Sequence, residues 1–144
     1  MTQRTADPQP FRYVKPESDR VTQVVRLANT DRMHALVHVL KKGGENNLHS
    51  HTHQDGLWMV IRGGARFYGE GNKVLGEIGP NEGILIPRGF RYWFESCGST
   101  ELELLHVIAL DQPQADERQV VKDRVNYEPP KTDIEAIPVI EAGR

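Results

Sequence analysis

The chain has 144 residues, 38% of them hydrophobic and 26% charged, and its 18 basic and 20 acidic side chains leave a formal net charge of -2. That is the length and balance of a single globular domain with a proper core, and the scattered charges form no basic stripe of the kind that neutralises phosphates, so nucleic acid is not an expected partner. The single cysteine, Cys97, cannot close an internal disulfide; with no signal-peptide pattern and no run near the roughly 20 apolar residues that cross a bilayer, a cytoplasmic protein without a membrane partner is expected.

Residues 1 to 20, polar and carrying Pro8, Pro10 and Pro16, read as an N-terminal arm. From 21 to 110, short runs rich in Val, Ile, Leu and aromatic residues alternate with Gly, Asn and Pro turns, the punctuation of an all-β sandwich or barrel. Strands are predicted at 21–28, 34–40, 47–53, 57–62, 65–68, 73–78, 83–87, 91–95 and 101–110. The turns at 63–64, 69–72 and 97–100 carry the glycines that tight hairpins demand, and most of them are expected to join antiparallel neighbours. No segment keeps a 3.6-residue apolar period, so helix is not the main material. Residues 111 to 144, with Pro113, Pro129, Pro130 and Pro138, read as a C-terminal arm. Within it, 119–125 can add an edge strand, and 134–140 (IEAIPVI) is apolar enough to need cover from its own barrel or from a second subunit, hence an expected homodimer.

Residues 46 to 64, NNLHSHTHQDGLWMVIRGG, hold the chemistry. Side chains in a strand alternate faces, so His49, His51 and His53 share one side. Imidazole is the commonest neutral metal ligand, and two rings spaced by two on one face can share an ion. The same pattern also arises on an exposed amphipathic strand.

The surrounding frame resembles the cupin motifs. The first, G(x)5HxH(x)3-4E(x)6G, is matched by Gly43, His49, His51 and Gly63; the second, G(x)5-7PxG(x)2H(x)3N, by Gly79, Pro87 and Gly89. The resemblance covers about residues 35 to 110 and implies a jelly-roll β-barrel of two antiparallel sheets, in agreement with the strand count. It also implies a metal held by two histidines and a glutamate of the first motif and a histidine of the second. Here Gly56 stands at the glutamate, Tyr92 at the second-motif histidine and Ser96 at the closing asparagine. Two imidazoles alone hold a divalent ion weakly. Some cupins, such as the thiol dioxygenases, use three histidines without the glutamate; Gly56 resembles that variant and Tyr92 departs from it.

Two candidates can complete the set. Alternation of Leu102, Leu104, His106 and Ile108 against Glu101 and Glu103 points His106 inward, and a hairpin between 91–95 and 101–110 would set it opposite Tyr92, about 5 Å away. A buried His106 hydrogen-bonded to Tyr92 is the competing reading. His53 or Asp55, just past the strand, can swing toward an ion, or serve as turn residues. If Gly56 points inward, Trp58, Val60 and Arg62 follow, facing Phe90, Tyr92 and Phe94 in an aromatic pocket where Arg62 could take a carboxylate. His38 reads as a hydrogen-bonded or exposed histidine.

The resemblance therefore implies a small-molecule-binding protein, as a metal-dependent enzyme of the oxygenase, isomerase or lyase type. A divalent iron, manganese, nickel or zinc ion would sit on His49 and His51, with Tyr92 as proton donor. The alternative is a non-catalytic binding or sensor module, possessing the barrel and no metal.

Overall fold

The computed structural model describes residues 7–42, 44–113, 123–127 and 139–142. Its strands are β1 (Thr22–Asn29), β2 (Met33–Leu40), β3 (His49–His51), β4 (Gln54–Arg62), β5 (Ala65–Tyr68), β6 (Val74–Ile78), β7 (Gly83–Ile86), β8 (Trp93–Ser96), β9 (Leu102–Leu110), β10 (Arg124–Asn126) and β11 (Val139–Glu141). A single 3-10 turn, Glu70–Asn72, is the only helical segment among the described residues. None of them forms a helix long and apolar enough to cross a membrane.

The strands pair into two layers. One sheet runs β11-β1-β2-β9-β4-β7, antiparallel except for β11, which lies parallel to β1. The other layer is β6-β5-β8, continued through a bridge between His49 and Tyr92 to the pair β3-β10. Among the described residues no ladder joins the two layers, so the expected barrel is, in its hydrogen bonding, a sandwich.

Hydrophobic alternation decides the interior. Leu40, Trp58, Val60, Ala65, Phe67, Ile86, Tyr92, Phe94, Leu102 and Leu104 form one buried cluster fed by both sheets. Each large apolar side chain removed from water in this way contributes about 1.5–3 kcal/mol. A second, smaller cluster of Val25, Val37 and Val39 lies on the outer face of the six-stranded sheet, covered by Tyr13, Leu27, Leu105, Ile140 and Ala142. Tyr13 is fastened there by donating its hydroxyl hydrogen to Glu103 at 2.6 Å. Both chain ends thus pack on the chain's own sandwich where they are described; residues 134–138 of the apolar IEAIPVI run lie outside the described residues.

Two expectations are corrected. Of the three glycine turns, only 69–72 joins hydrogen-bonded neighbours, β5 and β6. The turns at 63–64 and 97–101 carry the chain from one sheet to the other, because β5 and β8 pair with each other while β4 and β9 pair in the opposite layer. The hairpin between 91–95 and 101–110 is therefore absent, and His106 lies opposite Trp58 and Leu36, not Tyr92.

The remaining outer face of the large sheet stays apolar. Ladder partners Ala35, Val107, Leu57 and Leu85 form a row across four strands, with Leu57 45% and Leu85 59% exposed.

Candidate functional site

The chain changes sheet at Thr52–His53, between β3 and β4, and this step decides which residues face inside. Before it the inward positions are odd, His49 and His51; after it they are even, and Gln54, Gly56, Trp58 and Val60 are buried. Asp123 holds the crossing by accepting hydrogen bonds from the Thr52 hydroxyl and, at 2.8 Å, from the His53 backbone N–H.

His53 consequently turns outward. It meets Asp111 at 3.3 Å, and Asp55 meets the Arg88 guanidinium at 3.4 Å, so both candidates belong to an exposed ion-pair group away from the interior. Arg62 is exposed as well, because the ladder slips by one residue between Val60 and Arg62 and breaks the alternation that predicted it inside. Phe90 is 42% exposed and stands at the mouth of the interior, not in it.

The interior brings together His49, His51 and Tyr92 from the smaller layer and His38, Trp58 and His106 from the larger one. The His49 ring lies 5.0 Å from that of His51, edge-on, and 4.4 Å from that of Tyr92. Tyr92 therefore does sit beside both histidines, 6.4 Å from His51. His49 donates its Nδ1–H to the Asn47 carbonyl at 2.7 Å, which fixes the tautomer and leaves Nε2 as a lone pair. His106 stacks face to face on Trp58, 3.5 Å between centroids and 9° from parallel, and its Nδ1 shares a hydrogen with His38 Nε2 at 3.3 Å.

Gly56 explains why this stack exists. A methyl group built there would lie 2.9 Å from His106 Nε2 and 3.4 Å from Trp58 Nε1. The His106 ring thus occupies the room that any side chain at 56, a glutamate included, would need. His51 Nδ1, Gln54 Oε1 and His106 Nε2 are buried without a hydrogen-bond partner, and the Trp58 N–H near the Tyr92 hydroxyl makes no well-formed bond. The space left beside His51, Gln54, Gly56, Ile86, Pro87, Phe90 and Tyr92 is about 10 Å³, room for one water or one ion.

Burial sets the charge states. Desolvation, aided by the Arg124 guanidinium, pushes His49 down to about 2 and His51 and His38 to about 4. Burial also holds His106 well below the ordinary imidazole range and raises the Tyr92 hydroxyl. At neutral pH the imidazoles are neutral and Tyr92 keeps its proton. Among the described residues no three His, Cys, Asp or Glu side chains converge on one point.

Two contributors escape sequence reasoning. Gln54 is hidden because the sheet crossing reverses the odd-even rule inherited from His49. Arg124 arrives from the C-terminal arm through the pairing of β10 with β3, opposite His51. Its only local signal is the strand-like 119–125 run.

No family model and no curated protein sequence matches the chain. Solved structures do. A conserved protein with a double-stranded β-helix domain from Klebsiella pneumoniae aligns at TM-score 0.61 with 20% identity, covering 71% of this chain and 82% of that one. The cupin domain of Cnp3 from Schizosaccharomyces pombe aligns at 0.58 with 16% identity, covering 65% and 67%. The DMSP lyase DddQ from Ruegeria pomeroyi aligns at 0.55 with 17% identity, covering 72% of this chain and 57% of the lyase. This likeness establishes the cupin fold, and a fold hosts many functions.

Two outcomes are expected. His38 titrates near 4 when folded and near 6.5 when unfolded, so between those values the unfolded chain binds more protons. Its contribution to stability is complete above pH 6.5 and is lost as pH falls toward 4, at up to about 1.4 kcal/mol per pH unit, measurable as the part of the pH dependence of the urea midpoint that His38→Gln removes, since His49, His51 and His106 act in the same direction. Gly56→Ala is expected to destabilise by about 1–3 kcal/mol, since the new methyl displaces the His106 ring. In a double-mutant cycle, His106→Ala should recover part of that loss; strictly additive effects would contradict the proposed collision.

Proposed function

We propose that this chain, a protein with the cupin fold, binds a small molecule in its jelly roll and works as a metal-dependent enzyme of the oxygenase, isomerase or lyase type. The observation that carries the reading is the tautomer of His49. Its Nδ1–H is committed to the Asn47 carbonyl, which leaves Nε2 as a donor of the kind that metal-ligating imidazoles present. His51 is neutral beside it, and Gln54 adds a buried carbonyl oxygen with no other partner. By their chemistry, two neutral imidazoles and an amide oxygen would hold a divalent ion with fewer ligands than the four of the cupin set. When bound, such an ion, iron, manganese, nickel or zinc, would polarise a substrate oxygen or activate water or dioxygen.

The chain's own residues supply the rest. Tyr92, protonated at neutral pH and next to both histidines, serves as proton donor or orienting hydrogen bond and not as a base. Phe67 and Phe94 pack at tilted angles against Trp58 behind it, with ring centroids 4.9 to 5.8 Å from that of Trp58, and exclude water from that side. His106 acts as packing, joined to Trp58 and His38. Substrate approaches from the mouth beside Phe90 and Pro87, since the interior itself takes only a water-sized occupant.

One observation favours the alternative, a non-catalytic binding module. The position of the family's glutamate is glycine, and the His106 ring has filled its place.

Metal analysis of tag-free protein decides between them. The enzyme reading expects near one equivalent, lost in His49→Ala/His51→Ala. Traces of metal in both proteins would overturn it in favour of the module. We further propose that the apolar row Ala35, Val107, Leu57 and Leu85 buries itself against a second copy. Sedimentation equilibrium should give the mass of two chains, falling to one in Leu57→Lys/Leu85→Lys; a concentration-independent single-chain mass for the wild type would refute this.

A further inference from the structure

The interior described above has one charged member, and that charge has no partner of opposite sign among the described residues. Arg124 faces His51 across the β10–β3 ladder and so lies on the same side of the sheet as the imidazoles. One guanidinium nitrogen donates to the Asn47 side-chain oxygen and to the Asn47 carbonyl at 3.4 Å, and lies 3.4 Å from His49 Nδ1. Its Nε–H is buried with no acceptor. Every acceptor it meets is neutral.

Removing a guanidinium from water without a counter-charge is costly, and such groups are normally paired. The cost is visible here in two ways. Desolvation lowers the affinity of Arg124 for its own proton, and its positive field reaches His38, His49 and His51. The residues around the nearby cavity do nothing to offset it: none of its lining side chains is acidic. Asp55 and Asp111 at the rim are engaged with Arg88 and His53. The surroundings offer instead further donors, the Tyr92 hydroxyl and the Trp58 N–H.

We infer that Arg124 is a clamp for the carboxylate of a small organic acid, received over the His49–His51 pair at the mouth of the interior. A guanidinium presents a planar fork that matches two carboxylate oxygens, and the unused Nε–H is one prong of it. The water-sized space is lined by His51, the ladder partner of Arg124, and not by Arg124 itself, so the acid would lie outside it, against Phe90. The inference deepens the proposed function by naming the substrate class and rests on its reading of the mouth as the ligand site, but not on a bound metal.

The test is calorimetric titration of chelator-treated full-length protein with acetate, at constant ionic strength in chloride, with acetamide as the uncharged counterpart. Saturable heat with acetate and none with acetamide is expected, unchanged in Arg88→Met and absent in Arg124→Met. Arg124→Lys, which keeps the charge and loses the fork, covers the case of a misfolded methionine variant and should bind about tenfold more weakly. Equal response to acetate and acetamide, acetate binding that survives Arg124→Met in folded protein, or no acetate binding by the wild type would each overturn the clamp. The last result would arise if a carboxylate of the chain itself already pairs with Arg124. Because the protein is stripped of metal, failure here leaves the metal reading standing, and a failed metal analysis leaves the clamp standing.

Discussion

The interior depends on the stack of Trp58 on His106. Two rings 3.5 Å apart and nearly parallel can lie this close to β4 only because residue 56 has no side chain. His38 fastens the pair from the next strand, and Phe67, Phe94 and Tyr92 close around the indole. A single glycine therefore sets both the packing and the chemistry. It admits the stack, and it removes the carboxylate that the cupin pattern would place beside the histidines. With the rings in place the free space shrinks to the size of a water, which moves any organic ligand to the mouth.

Strand positions were legible because a sandwich strand writes its burial into odd-even alternation and its ends into glycine and asparagine. Nine predicted runs correspond to β1 through β9, and the inward direction of His106 follows from the leucines that flank it. Alternation says which face a residue occupies; it does not say which strand lies alongside. For that reason the 91–95 and 101–110 runs looked like a hairpin, although the chain between them changes layers. The same limit hid Gln54, since nothing local marks Thr52–His53 as a crossing and not a continuation. Arg62 failed through a one-residue slip in the ladder, which leaves no trace in composition. Arg124 reaches its place through a pairing more than 70 residues distant in sequence, with contacts to Asn47 and His49 that no local pattern encodes.

The candidate site differs from an ordinary metal centre in its charge. A cupin centre with a glutamate carries its own negative charge, whereas the donors here are neutral imidazoles and an amide, with a guanidinium alongside. In such a set the guanidinium would oppose a dication, and no carboxylate among the described residues offsets either charge. A ligand carboxylate relieves both at once. On the proposed reading, ion and acid then strengthen one another's binding, and by linkage each must raise the other's affinity by the same factor. On that reading, the glycine that leaves the proposed ion without a carboxylate of the chain leaves the missing negative charge to be supplied by an anionic substrate.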